Sequence, residues 1–253
     1  MVNVICMKWG DKYGANYVNI LRAMVRRHLS LPHRFVCFTE NASGLHPEVE
    51  VFPLPELELP DGIPERCWRK LCTFDRQLGD LHGPTLFLDL DVVVLGSLDS
   101  LFELPGKFFI CHDYRWYGKL KVTGNSSCYR FNVGEHPEVI DYFRENSDLV
   151  RATHRHEQAY LSHKMKELGC LQYWPEAWCR SFKAHCLPRI PIRYVRAPRV
   201  PRDARVVIFH GDPNPIDASI GRYNSLRKFW HPSPWVLEHW HDNDVAPSDR
   251  RAA

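Results

Sequence analysis

The sequence has little of several features that define common protein classes. No apolar run approaches the roughly 20 residues that a membrane-spanning helix needs. Residues 1–9 lack the basic start and the apolar stretch of a signal peptide. The formal net charge is only +3, with basic residues scattered among acidic ones, so no nucleic-acid partner is indicated. We therefore expect a cytoplasmic protein without a transmembrane segment, for which peripheral contact with the inner face of a membrane stays open.

Cysteine is not scarce, but its spacing excludes two common uses. No two cysteines are separated by only two residues, the spacing typical of zinc knuckles and redox motifs. Several lie in apolar runs, where a free cysteine behaves as a small buried hydrophobic residue. We expect reduced thiols, as in a cytoplasmic protein. The nine are Cys6, Cys37, Cys67, Cys72, Cys111, Cys128, Cys170, Cys179 and Cys186.

What is present is ordinary globular composition and a regular alternation of strands and helices. The 253 residues, 44% hydrophobic and 25% charged, suffice for a core without disulfides. Apolar segments at 2–7, 34–38 and 49–52 predict buried strands, and apolar residues between 18 and 29 recur at helical spacing. This β-α-β order favours an α/β fold with a mostly parallel mixed sheet flanked by helices.

The remaining elements are predicted in the same way. Strands are predicted at 85–88, 108–111, 126–131 and 205–209, and helices at 65–78, 138–145 and 156–168. No internal repeat or low-complexity block interrupts them. We predict one domain over residues 1–241, followed by a polar, frayed tail over residues 242–253.

Two acids follow the apolar strand at 85–88. Asp89 and Asp91 are two residues apart and therefore face the same side of an extended chain. Ligand sites of open α/β sheets lie beyond the carboxyl ends of strands. Two carboxylates held so close repel unless a cation or a proton lies between them, and hard oxygen ligands suit magnesium or manganese. The alternative is a pair of solvated acids, although acids between two apolar runs are costly to bury.

At this point the sequence resembles the GT-A glycosyltransferases, especially the retaining branch with glycogenin and the bacterial galactosyltransferases of lipopolysaccharide synthesis. One signature is Phe-Leu-Asp-Leu-Asp-Val-Val-Val at 87–94, with Gly-Ser-Leu-Asp-Ser-Leu-Phe at 96–102. The other is His-Gly-Asp-Pro-Asn-Pro at 210–215, after an apolar strand. The resemblance implies a single GT-A (Rossmann-like) domain. It also implies transfer of a sugar from a nucleotide-sugar, by default a UDP-sugar, to a hydroxyl acceptor, with retention.

The resemblance also implies a metal site. Asp89, Asp91 and His210 would bind Mn²⁺ or Mg²⁺, and Gly211 would let the backbone approach the diphosphate. A lone strand-end histidine is otherwise more often bonded to its neighbours. The family often has a lysine shortly after its His-Gly pair, whereas this chain has Asn214; Lys183 would supply that charge, unless it is an ordinary surface cation.

Further contacts to the donor follow by resemblance. Candidates for the nucleotide are Lys8, Trp9 and Tyr13 in the turn after the first strand, and Lys70 before the metal-site strand. Candidates for the donor sugar are Asn125, Glu157 and Gln158. Each has an ordinary structural alternative: rim or core aromatic, solvated helix charge, polar turn, or helix-start acid. No convincing general base is identified, and retention would not require one.

Two other functions compete with this interpretation. A haloacid-dehalogenase-type phosphatase also places two aspartates two residues apart after a strand, with Asp89 as nucleophile and Asp91 as general acid. That motif usually lies near the N-terminus, and here a complete β-α-β region precedes it. The other alternative is a non-catalytic protein that binds nucleotide-sugars or carbohydrates.

The acceptor is not specified by any motif. A carbohydrate or lipid-linked glycan would suit the family, with a role in bacterial surface polysaccharide synthesis. Aromatic and basic residues near the C-terminus predict either an acceptor or membrane-surface patch, or simple core packing; they are Arg227, Lys228, Phe229, Trp230, Trp235 and Trp240.

Overall fold

The computed structural model describes residues 1–59, 66–115, 118–222 and 229–244. Its strands are β1 (Val2–Lys8), β2 (His33–Thr39), β3 (Glu50–Phe52), β4 (Pro84–Leu88), β5 (Val93–Val94), β6 (Phe108–Arg115), β7 (Gly118–Asn132), β8 (Leu171–Tyr173), β9 (Cys179–Ser181) and β10 (Val206–Ile208). Its α-helices are α1 (Ala15–His28), α2 (Asp99–Glu103), α3 (Glu138–Glu145), α4 (Ser147–Thr153), α5 (Glu157–Glu167), α6 (Pro215–Ile220) and α7 (Trp235–His239).

A seven-stranded mixed sheet forms the centre of the described part of the chain, in the order β3-β2-β1-β4-β7-β6-β8. Strands β3, β2, β1 and β4 are parallel to one another, whereas β7 is antiparallel to both β4 and β6. A smaller sheet, in the order β5-β10-β9, continues the chain beyond the acidic pair. The predicted α/β fold with a mostly parallel mixed sheet is confirmed.

Both faces of the large sheet are buried, as its continuous apolar strands predict. Val4 and Cys6 of β1 point into one core with α1, while Ile5 and Met7 point into the other. The second core holds the packed aromatic rings of Phe74, Phe87, Phe108, Tyr129 and Phe131.

The helix predicted at 65–78 is shorter and of another type. The structure has a 3₁₀-helix over Arg66–Phe74, and residue 65 lies outside the described residues. The Thr73 hydroxyl donates to the Lys70 carbonyl oxygen, and the Asp75 N–H to that of Cys72, both three residues back. Side chains three residues apart eclipse one another in a 3₁₀-helix, so Cys67 and Lys70 face the same cleft.

The described cysteines are all free, and seven of the nine are buried. The thiols of Cys111, Cys128 and Cys179 lie within 4.8 Å of one another, where β6 and β7 of the large sheet meet β9 of the small sheet. They fill the core between the two sheets, as small apolar residues do.

The C-terminal residues that the structure describes lie against α1. The buried Arg22 forms an ion pair with Asp244, and Arg27 donates to the carbonyl oxygens of His239 and His241. Residues 245–253 of the predicted tail lie outside the described residues. No helix of the described chain has both the length and the apolar character to cross a bilayer.

Candidate active site

A cleft of about 940 Å³ opens at the carboxyl ends of β1 and β4, between the large and the small sheet. It contains nine of the candidate residues, from segments far apart in sequence: Lys70, Asp89, Asp91, Asn125, Glu157, Gln158, Lys183, His210 and Gly211. Their convergence makes this cleft the candidate active site.

The acidic pair sits in the turn between β4 and β5. The Asp89 N–H donates to the Ser127 carbonyl oxygen at 2.9 Å, which ties the turn to β7. The Lys70 ammonium lies 2.7 and 2.8 Å from the two carboxylate oxygens of Asp89. On the other side of the turn, the Tyr13 hydroxyl donates to Asp91 Oδ2 at 2.7 Å.

The environment of the pair disfavours two negative charges. Burial, together with the neighbouring Asp89 carboxylate, raises the pKa of Asp91 to about 6, against the opposing hydrogen bond from Tyr13. Burial also raises the pKa of the Tyr13 hydroxyl, and the Asp91 carboxylate adds to the effect. Such crowding of carboxylates is relieved by a cation bound between them.

Lys70 links Asp89 of the acidic pair to a third carboxylate, that of Glu157. Its ammonium lies 4.0 Å from Glu157 Oε1, and Glu157 also accepts a hydrogen bond of 2.6 Å from the Ser126 hydroxyl. Burial opposes the charge on Lys70, but the carboxylates of Asp89 and Glu157 outweigh it and raise its pKa. The buried charges of this network therefore compensate one another.

The middle of β7 and the start of α5 form the next part of the wall. Asn125 is buried, and its Oδ1 accepts a hydrogen bond from the Ser127 N–H at 3.0 Å. Gln158 donates to Asp113 Oδ2 at 3.4 Å, across from β6. These amide and carboxylate groups give the cleft a polar, hydrogen-bonding surface of the kind that sugar hydroxyls require.

His210 lines the same cleft and lies two residues after the end of β10. Its Nε2 is 2.8 Å from the Ser181 hydroxyl at the end of β9, and the Lys183 ammonium donates to the His210 carbonyl oxygen at 2.6 Å. Burial and the nearby Lys183 charge lower the pKa of His210 to about 4. The imidazole is therefore neutral at pH 7, which is the form that binds metals. Gly211 adopts φ +69°, a conformation that favours glycine.

The donor set fits a divalent cation, although the ligands are not drawn together as they would be around one. Two carboxylates and a neutral imidazole line one cleft, and this combination suits manganese or magnesium. Among the described residues, the ligand atoms of Asp89, Asp91 and His210 do not all lie within 4.8 Å of one another. Joint coordination of one cation would therefore require these three side chains to lie closer together than they do here.

The candidates at the end of β1 and in the turn after it, which are Lys8, Trp9 and Tyr13, do not line the cleft that holds the nine residues above. Among them, Tyr13 reaches the site through its bond to Asp91. Lys8 is buried, with its ammonium 3.5 Å from the Asn41 carbonyl oxygen, and Trp9 packs against the second core. Lys12, which sequence reasoning did not single out, lines the cleft instead.

Of the described C-terminal aromatic residues, only one lines the cleft. Trp230 lines the cleft, and its indole N–H donates to the Asp217 carbonyl oxygen at 3.2 Å. Trp235 and Trp240 are buried in the first core, and Phe229 packs on Tyr194. Arg227 and Lys228 lie outside the described residues.

Several cleft residues had no signal in the sequence. Ser126 of β7 lines the cleft and Ser181 is buried at the end of β9, and only the folded structure brings their hydroxyls to Glu157 of α5 and to His210. Asp113 follows a predicted strand, which is a weak signal. The segment Phe182–Cys186 and the short turn Ile192–Tyr194 carry His185, Arg189 and Arg193 into the cleft in or near irregular backbone that no periodicity marks, whereas Lys183 was already a candidate from the sequence.

The fold, with its acidic pair at the cleft, is the GT-A fold of glycosyltransferases. Solved structures similar to the chain over most of its length are glycosyltransferases. A galactosyltransferase, LgtC, in complex with donor and acceptor sugar analogs matches with a TM-score of 0.62 and 15% identity, covering 99% of each chain. An active-site glutamine-to-glutamate mutant of LgtC matches with a TM-score of 0.55 and 14% identity, covering 89% of this chain and 93% of that one.

A third similar structure is the glycosyltransferase GlyE of Streptococcus pneumoniae TIGR4. It matches with a TM-score of 0.56 and 13% identity over 85% of this chain and 56% of that one. No protein-family model and no curated protein sequence matches the chain. The expected GT-A fold is confirmed, and at these identities the likeness concerns the fold.

Proposed function

We propose that the protein is a metal-dependent glycosyltransferase that moves a sugar from a nucleotide-sugar, by default a UDP-sugar, to a hydroxyl acceptor. The observation that carries this proposal is the convergence of Asp89, Asp91, His210 and Lys183 in one cleft of a GT-A fold. We assign residues 1–241 to this domain. The activities of the similar structures agree with the proposal, and LgtC was solved with analogs of both a donor and an acceptor sugar.

The two aspartates and His210 would hold Mn²⁺ or Mg²⁺, and Lys183 would lie beside the diphosphate. A bound cation stabilises the negative charge that develops on the diphosphate as the sugar leaves. Lys183 is held at this position by its bond to the His210 carbonyl oxygen, so its charge is aimed before the donor arrives. Gly211 leaves space beside it: a Cβ built there would lie 3.7 Å from the Lys183 ammonium.

The polar wall of β7 and α5 would orient the donor sugar. Asn125, Glu157 and Gln158 are held by Ser127, Ser126 and Asp113 respectively, which reduces the freedom lost when a sugar binds. Lys70 and Tyr13 would hold Asp89 and Asp91 in place through their bonds to these carboxylates. Lys8 and Trp9 remain candidates for binding the nucleotide. The anomeric configuration is proposed to be retained, by resemblance alone.

The acceptor is proposed to be a carbohydrate or lipid-linked glycan of bacterial surface polysaccharide synthesis, with the enzyme in the cytoplasm or at the inner membrane face. The phosphatase alternative receives no support, since the similar structures reported above are glycosyltransferases. The non-catalytic alternative differs from the proposal only in turnover.

A turnover assay separates these alternatives. UDP release from a panel of UDP-sugars, with water or simple glycosides as acceptor, is measured with manganese and with chelator. We expect release from at least one donor in manganese only, and NMR of the product then gives the anomeric configuration. Metal-dependent UDP binding without release from any donor would indicate a binding protein.

A further inference from the structure

The wall of the cleft that follows Lys183 is basic, and the proposed donor site uses only its first member. Lys183, His185, Arg189 and Arg193 all line the cleft; we call these four residues the basic wall. Lys183 is held at His210 and Gly211, on the diphosphate side. Arg189 and Arg193 lie farther along the chain, past the turn of Phe182–Cys186.

The two arginines form one structural unit. The Arg193 N–H donates to the Arg189 carbonyl oxygen at 3.1 Å, which links the two residues across a tight turn. Arg189 is exposed, whereas Arg193 is buried, with its Nε donating to the Pro188 carbonyl oxygen at 3.0 Å. Both side chains reach the same cleft from this turn.

The charges around the pair favour an anion. Burial lowers the pKa of Arg193, and an anion brought beside it would stabilise its charge. Two acids that line the same cleft also have basic neighbours. Glu176 accepts from Arg180 at 3.4 Å, and Asp212 lies 3.9 Å from Arg222.

The chemistry of guanidinium selects among anions. Its planar fork of N–H donors matches the paired oxygens of a phosphate or a carboxylate, and two such forks on one turn bind one oxyanion more strongly than scattered lysines do. Trp230 and Leu187 line the same cleft, and apolar side chains of this kind can pack against a sugar ring. A sugar that carries an oxyanion satisfies both features.

We propose that the acceptor is an anionic sugar, with a phosphate or carboxylate near the hydroxyl that is glycosylated, and that Arg189 and Arg193 bind this group. The inference rests on the proposed function and names the acceptor class of that same site. The donor's diphosphate is placed at the other end of the basic wall, at Lys183.

The test is a calorimetric titration of the protein loaded with UDP and manganese. The probes are glucose 6-phosphate, glucuronic acid and glucose. We expect at least one anionic probe to bind about 10- to 100-fold more tightly than glucose, the range of one charge-assisted hydrogen bond. Whichever of the two anionic probes binds more tightly identifies phosphate or carboxylate as the group that is recognised.

The variants are Arg189→Gln, Arg189→Lys and the control Arg76→Gln. Arg189 is exposed, so its replacement does not disturb the core; Arg76 is 73% exposed and pairs with Asp141 outside the cleft. Arg189→Gln should remove the preference for the anionic probe, Arg189→Lys should keep part of it, and the control should keep all of it.

Three results would overturn the proposal: equal affinity for glucose, a preference that survives Arg189→Gln, or a loss of UDP affinity in Arg189→Gln as large as the loss for the sugar. The last would assign the pair to the donor diphosphate. Failure of UDP itself to bind would instead count against the proposed function. If UDP does not bind, the same probes are titrated without UDP into wild type and Lys183→Gln. These titrations still measure anion binding by Arg189 and Arg193.

Discussion

At the scale of single residues, the site depends on charges that compensate one another across long sequence distances. Lys70 lies against Asp89 and Glu157, and Lys183 lies against the backbone of His210. The two lysines differ in what they do. Lys70 neutralises acids that are present without a ligand, whereas Lys183 offers its charge to the position proposed for the diphosphate.

Replacing Lys183 should therefore weaken nucleotide binding with little effect on folding. We expect Lys183→Gln to reduce the affinity for UDP in manganese about 10- to 100-fold, through loss of one charge-assisted hydrogen bond. Calorimetry measures the affinity. Lys107→Gln, whose side chain is 63% exposed and pairs with Glu135, is the matched control. Unchanged UDP affinity in Lys183→Gln would remove Lys183 from the proposed donor site.

The sequence predicted individual residues of the site better than their partners. Asp89 and Asp91 were predicted because an acidic pair after an apolar strand is a local pattern. The expectation that they lie on an extended chain was wrong, because the pair lies in the turn that follows β4. The bond of Ser181 to His210 joins residues 29 apart through the pairing of β9 with β10. A strand of two or three residues is too short to show an alternation of apolar and polar side chains, so the sequence did not predict this pairing.

At the scale of elements, β7 holds the region around α2 through a single buried side chain. Arg130 donates to the carbonyl oxygens of Leu101, Leu104 and Gly106 at 2.6, 2.7 and 2.7 Å. Its guanidinium carbon also lies 4.8 Å from the centre of the Phe109 ring. Buried arginine is seldom expected from sequence, and nothing in the segment 126–131 indicated this role.

Removing that side chain should destabilise the protein without touching the cleft. We expect Arg130→Met to lower the free energy of unfolding by about 3 kcal/mol, because three buried carbonyl groups lose their donor. Urea unfolding measures the change, and Arg26→Met, at a side chain 54% exposed on α1, serves as control. A loss no larger than that of the control would show that the three hydrogen bonds contribute little.

The elements themselves follow from apolar patterning where they are long. The strands at 2–7, 34–38 and 85–88 and the helices at 138–145 and 156–168 were predicted to within one or two residues. The predicted helix at 65–78 was wrong in type and length, because apolar spacing does not distinguish a 3₁₀-helix from an α-helix. The helices α2, α4, α6 and α7 were missed, since each spans fewer than eight residues.

At the scale of the whole molecule, Arg27 at the end of α1 donates to the carbonyl oxygen of His239 at the end of α7, and the charge of His239 also acts on the neighbouring His28. Burial, with the charges of Arg27 and His239, lowers the pKa of His28 to about 4, and burial lowers the pKa of His239 as well. The folded state then binds fewer protons than the unfolded state between the ordinary histidine pKa, about 6.5, and about 4. Stability from this contact is complete above that window and falls as the pH decreases through it.

The variant His28→Gln isolates this effect from other titrations, including that of Asp91, whose raised pKa acts in the opposite direction. We expect the loss of unfolding free energy between pH 7 and pH 5 to be smaller in His28→Gln than in wild type, by about 1 kcal/mol. Urea unfolding at the two pH values measures it, with the exposed His82→Gln as control. Equal losses in His28→Gln and wild type would contradict the assignment.

The most direct measurement for the proposed function is calorimetric titration of UDP into wild type, Asp91→Asn and the control Asp141→Asn, first with manganese and then with chelator. The account predicts binding to wild type and to Asp141→Asn in manganese only, and no binding to Asp91→Asn, because the substitution removes a carboxylate ligand of the cation. UDP binding that is independent of manganese, or unchanged in Asp91→Asn, would contradict a metal-dependent glycosyltransferase site at Asp89 and Asp91.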